Sequence, residues 1–150
     1  MSTNARIGIE NEDGSIDSIY LHWDGYAKHG AGETLRDHYN TESQVRELIA
    51  LGDISSLGDT LALYKDFDYG WHNPDNLSQD EMIHYEATHT CPYSVRGEYC
   101  PAEHSTDEEA YKSLEEEYTY LFKKGSWLCK SRYTDHQFNS INRAIVCDFG

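Results

Sequence analysis

The feature that most constrains this chain is a change of hydrophobic period inside its N-terminal third. Arg6 to Asn11 alternate around Ile7 and Ile9, and Ile16, Ile19 and Tyr20 follow the turn residues Glu12-Asp13-Gly14. Alternation on both sides of a Gly-containing turn suits a β-hairpin, because successive strand side chains point to opposite faces. The second strand runs into His22-Trp23-Asp24-Gly25-Tyr26, where Asp-Gly supplies the chemistry of a bend. A short helix is expected around Gly32 to Tyr39, with Leu35, His38 and Tyr39 on one face. Thr41-Glu42-Ser43-Gln44 then has the pattern of a capping box. Val45, Leu48, Ile49 and Leu51 recur at helical spacing, and Gly52 suits the stop.

The rest of the chain continues this mixture. Met82 to Thr88 and Tyr93 to Tyr99 read as two strands paired across Arg96-Gly97. Ser105-Thr106-Asp107-Glu108 starts a helix expected to run over Glu108–Glu116, its first-turn acids facing the positive end of the helix dipole. Tyr118 to Phe122 and Trp127 to Arg132 flank Lys123-Lys124-Gly125 as another hairpin. The apolar stretch Ile141 to Phe149 receives no assignment. The expectation is a single α+β domain over 1–150, with antiparallel hairpins forming one sheet and two or three helices packed on one face. Hydrophobic residues make up only 38%, but 12 Tyr, 4 Phe and 3 Trp can fill a core with large side chains that keep a polar edge.

Charge narrows the partners. Acidic residues number 27 against 12 Lys and Arg, for a net charge of −15. That field opposes direct contact with a nucleic-acid backbone and favours a basic protein surface. The imbalance is concentrated between Asp53 and Glu86, where Asp53, Asp59, Asp66, Asp68, Asp75, Asp80, Glu81 and Glu86 face the single base Lys65. Glu108, Glu109, Glu115 and Glu116 extend the candidate partner-binding set. No run approaches the ~20 apolar residues of a membrane span, and the first residues lack the apolar core of a signal peptide. With four dispersed cysteines, the expected setting is the cytoplasm of a host cell, with reduced thiols and no membrane partner.

Two further constellations carry chemistry-bearing residues. His22, Trp23, Asp24 and Tyr26 form a candidate ligand site, in which the aromatics would stack a nucleotide-like base and His22 and Asp24 would hydrogen-bond it. Strand alternation instead puts Trp23 on the apolar face with Ile19 and Leu21, as a core residue. His89, Cys91, Cys100 and His104 have zinc-ligand chemistry, spaced as His-x-Cys, eight residues, and Cys-x3-His. They lack a Cys-x2-Cys pair, and a hairpin turning near Val95-Arg96 would simply set Cys91 opposite Cys100. His84 with Glu86 and His72 with Asp68 are candidate acid–base pairs, but no nucleophile elbow or phosphate loop accompanies them. Neither a cofactor nor a catalytic set is therefore expected, and a metal-dependent enzyme is the third-ranked reading.

The N-terminal third resembles a family of small proteins encoded by bacteriophages and prophages. The residues that carry this are Ser2-Thr3, Arg6-Ile7-Gly8-Ile9, Asp13-Gly14-Ser15-Ile16, Ser18-Ile19-Tyr20, His22-Trp23-Asp24-Gly25-Tyr26, His38-Tyr39-Asn40 and the run Leu48 to Gly58. The likeness covers roughly residues 1–58, with an echo at Arg96-Gly97-Glu98. It implies a viral accessory origin and no particular reaction. Joined to the charge, it leads to the expectation of an accessory protein that binds and inhibits a host factor, such as a defence or nucleic-acid-binding protein, by an acidic, nucleic-acid-mimicking surface.

Overall fold

The computed structural model describes residues 3–63, 78–133 and 137–147. The first expected hairpin is present: β1 (Ala5–Glu10) and β2 (Ile16–Leu21) pair antiparallel with Ile7 opposite Ile19. Gly14 takes φ 88° in the turn, and the Asp13 carboxylate accepts from the Ser15 N–H and hydroxyl. The helices α1 (Ala31–His38) and α2 (Glu42–Ala50) follow. The Thr41 hydroxyl accepts from the Gln44 N–H at 3.3 Å while Gln44 Oε1 accepts from the Thr41 N–H at 3.2 Å. Gly52, at φ 76°, ends this segment as its sequence suggests. The later hairpin joins β6 (Tyr118–Lys123) to β7 (Ser126–Ser131). Its tight turn needs left-handed backbone at both central residues, and Lys124 and Gly125 supply φ 52° and 81°.

The class is α+β, as expected, but the strands are not all antiparallel hairpins. β1 lies parallel to β6, and β2 is parallel to β3 (Ile54–Ser56). With β4 (Cys91–Pro92), β5 (Glu103–Ser105) and β8 (Asn139–Ser140), the mixed sheet runs β4-β3-β2-β1-β6-β7-β8, and β5 shares the outer side of β2 with β3. The parallel contacts join strands distant in sequence, which local alternation does not encode.

The register sorts side chains cleanly. Ala5, Ile7, Ile9, Ile19, Leu21, Tyr118, Tyr120, Phe122, Trp127 and Cys129 share one buried face. α1, α2 and α5 (Ile141–Cys147) complete that core through Leu35, Val45, Leu48, Ile141 and Ala144. The tail left unassigned from sequence is thus a helix whose apolar stripe closes the core. On the opposite face, Tyr111 of α4 (Glu108–Lys112) packs with Ile16 and Leu121. Gly8 makes this possible: a Cβ there would come within 2.8 Å of the Tyr111 ring.

Three expectations fail locally. The segment read as a strand from Met82 is α3 (Gln79–Thr88), and Tyr93–Arg96 is a 3-10 turn. The missed signal is a second capping box, with Ser78 and Glu81 satisfying each other's backbone N–H groups at 2.9 and 3.1 Å. The helix expected to reach Glu116 stops at Lys112, because Leu114 turns in to join the Tyr111 cluster before β6 begins. Trp23, expected in the core, is 44% exposed. Alternation governs side chains only while the strand lasts, and β2 ends at Leu21.

The core indole belongs to Trp127, whose Nε1–H donates to the Tyr39 carbonyl at 2.8 Å and whose ring meets Phe122 edge-on. Trp127→Ala should therefore lower unfolding free energy by ~3–5 kcal/mol in urea denaturation. Trp23→Ala should lose under about 1 kcal/mol, as surface changes generally do. Equal losses would place Trp23 in the core after all.

Candidate functional site

A cleft of about 770 Å³ opens where the chain leaves β2, bounded by α1, β3 and α3. Trp23 and Asp24 form one rim, Glu33 and Thr34 come from α1, Ser55 and Ser56 from β3, and Ile83 and Glu86 from α3. Leu57, Asp59 and Cys91 complete the facing wall. Trp23 is carried outward by a continuation of the β2–β3 contact: the His22 and Trp23 N–H groups donate to the Ile54 and Ser55 carbonyls at 3.2 and 3.0 Å.

Buried tyrosines hold both walls. Tyr120, on the central strand β6, donates its hydroxyl to the Gly25 carbonyl at 2.6 Å, next to Asp24. Tyr39 donates to the Gly58 carbonyl at 2.8 Å, between Leu57 and Asp59. Burial pushes both phenols above their ordinary pKa, so they stay protonated donors. Asp24 and His29 sit at φ 57° and 62°, unusual for residues other than glycine. The Ala31 N–H holds the Asp24 carbonyl at 2.9 Å, and the His29 N–H is bonded by the Glu33 carboxylate.

The electrostatics of the cleft are one-sided. Four carboxylates line it, from Asp24, Glu33, Asp59 and Glu86, with no Lys or Arg among the described lining residues. Glu33 is shared with the His29 backbone and with Arg36 at 3.9 Å, and Asp59 lies 3.5 Å from His38. The carboxylates of Asp24 and Glu86 make no hydrogen bond or ion pair among the described residues.

The other acids singled out from the sequence have different settings. Asp53 is part of the sheet: its carboxylate accepts from the Tyr20 N–H at 2.9 Å, where β3 and β5 leave the edge of β2 uncovered. Asp80 and Glu81 occupy the first turn of α3, and the Ser78 bonds hold the Glu81 carboxyl below its usual pKa. Glu108 meets Lys123 at 3.2 Å and Glu109 meets Lys112 at 3.3 Å. Glu115 and Glu116 cross the second sheet face, where Arg6 and Lys130 are buried. Burial raises the pKa of Glu116 against the opposing pull of Arg6 and Arg132. Asp66, Asp68, Asp75 and His72 lie outside the described residues.

Of the candidate ligand set, Trp23 and Asp24 line the cleft. His22 meets the Tyr20 hydroxyl at 2.9 Å and packs edge-on against Trp23, while Tyr26 packs on Tyr118. The zinc-type set is dispersed by the fold. His89 stacks on Tyr85, Cys91 is buried at the cleft, Cys100 is exposed, and His104 meets Asp17 at 2.7 Å. No three His, Cys, Asp or Glu among the described residues are grouped to hold a metal. His84 and Glu86 are two apart on α3, so the helix turns them away from each other. Cys129, which the sequence did not single out, is buried, and burial pushes its thiol up to about 12. No helix among the described residues is long and apolar enough to cross a membrane.

Asp53→Ala leaves the part-buried Tyr20 N–H unpaired and should destabilise the fold by ~1–3 kcal/mol, whereas Asp53→Asn keeps an acceptor and should retain most of it. Equal urea midpoints for Asp53→Ala and the parent would remove Asp53 from the sheet's hydrogen bonding. Tyr39→Phe leaves the buried Gly58 carbonyl without its donor and should cost a similar ~1–3 kcal/mol by the same measurement. Comparison of the chain with protein-family models, curated proteins and solved structures found no match, so its function rests on the cleft's own geometry.

Proposed function

We propose that this protein is an accessory protein of viral type that binds and blocks a host protein by taking a basic part of its surface into the acidic cleft. The observation that carries this reading is the lining itself: four carboxylates, with no Lys or Arg among the described lining residues. Opposite charge speeds diffusional encounter and rejects acidic partners. The net charge of −15 extends the same bias over long range. The resemblance of the N-terminal third to phage-encoded proteins supplies the host setting, in the cytoplasm and without direct nucleic-acid contact. A phosphate-bearing ligand such as a nucleotide fits less well, because four carboxylates and no Lys or Arg stand among the described lining residues. The exposed apolar surface of Ile83, 59% accessible on the α3 wall, gives the partner something to cover besides charge.

The test begins with affinity capture from host lysate, followed by association kinetics with the captured protein. Asp24→Asn/Glu86→Gln should slow association by about threefold or more and flatten its dependence on salt. The melting temperature should barely move, since neither carboxylate has a partner among the described residues. Glu12→Gln/Glu47→Gln removes the same charge at exposed positions outside the cleft and should have the smaller effect. Equal rates for the two double variants would reduce the acidity to a solubility feature.

A further inference from the structure

We infer that the cleft is built to hold one arginine side chain, presented on an extended segment of the partner; this rests on the reading that the cleft takes up a basic surface. Several observations select a guanidinium over a generic positive charge. The Trp23 indole stands at the rim, 44% exposed. A planar, weakly hydrated guanidinium stacks on such a ring more readily than a strongly hydrated ammonium does. Of the four carboxylates that line the cleft, those of Asp24 and Glu86, on different walls, have no partner among the described residues. They leave acceptors on two sides for a forked set of N–H donors, which a single ammonium reaches less well.

An independent observation comes from Ser55. This residue is only 5% exposed and lines the cleft, yet its hydroxyl makes no hydrogen bond among the described residues. Its hydroxyl is therefore available, at a nearly buried position of the lining, to a ligand that brings a donor into the cleft. The Thr34 hydroxyl donates to the Gly30 carbonyl at 3.3 Å, which leaves its oxygen free to accept. The cleft volume of about 770 Å³ exceeds what one side chain fills and leaves room for flanking backbone. Tyr120 and Tyr39 fasten the backbone beside Asp24 and Asp59 to the core, and the Asp59 N–H donates to the Ala87 carbonyl at 2.9 Å, which ties the end of α3 that carries Glu86 to the same loop.

The test uses the full chain and blocked pentapeptides, Gly-Gly-Arg-Gly-Gly and its citrulline and lysine counterparts, with the Trp23 indole N–H followed by NMR. The arginine peptide should shift that signal saturably. The citrulline peptide, equal in shape but uncharged, should bind about tenfold or more weakly, and the lysine peptide about threefold or more weakly. Trp23→Leu, read by titration calorimetry because it removes the reporter indole, and Ser55→Ala should each weaken the arginine peptide while leaving the melting temperature within a degree or two of the parent. Equal binding of the arginine peptide and either counterpart overturns the inference, and free argininamide binding as tightly as the peptide overturns the extended-segment part. Failure of every peptide, with the captured partner still sensitive to Asp24 and Glu86, sinks the arginine inference and leaves the acidic-cleft reading standing. Partner association indifferent to Asp24 and Glu86 sinks the reading beneath it.

Discussion

Everything around the cleft depends on buried phenols that end on backbone carbonyls. Tyr39, Tyr111 and Tyr120 are almost wholly enclosed, and their hydroxyls donate to Gly58, Tyr120 and Gly25 respectively. Each ring contributes apolar area to a core that has few aliphatic residues to draw on. Each hydroxyl then has to find an acceptor, because an unpaired one would forfeit the hydrogen bonds it made in water. Two of those acceptors sit in loops outside the sheet. The polar end of the core is therefore what fastens the cleft walls, and packing and site geometry share one set of side chains.

The negative charge is divided by the same architecture into working and structural parts. The second sheet face buries Arg6 beside Ser18, whose hydroxyl accepts from the guanidinium at 3.1 Å, and it also buries Lys130. Burial depresses the Lys130 pKa, and Glu115 pulls it back. Glu103 of β5 pairs with the buried Arg6 at 3.7 Å, while the acids of α4 are tied to Lys112 of the same helix and to Lys123. Asp53 is consumed by the edge of β2. Among the carboxylates of the cleft, those of Asp24 and Glu86 keep no side-chain partner among the described residues.

Legibility followed the range of the interactions. The two hairpins, the Thr41 capping box and the Gly52 stop depend on residues a few positions apart, and all are readable from their neighbours. The Ser78 capping box is equally local, but it lies just before a segment, Met82 to Thr88, that reads as a strand. The cleft was legible only in fragments. Trp23 and Asp24 stood out as a dense group, Asp59 and Glu86 as members of an acidic window, and Ser55 and Glu33 not at all. No sequence rule places residues from β2, α1, β3 and α3 around one space.

By itself, then, the sequence determined the α+β class, the two hairpins, the tyrosine-rich core and the strongly acidic character, because period, turn chemistry and composition act through nearby residues or through sums over the chain. Only the tertiary structure decided that β1 lies parallel to β6, that Trp127 rather than Trp23 is the core indole, and which acids are free. Those outcomes turn on contacts between distant segments. A carboxylate's role depends on whether folding delivers a backbone N–H, a buried cation or open solvent to its oxygens.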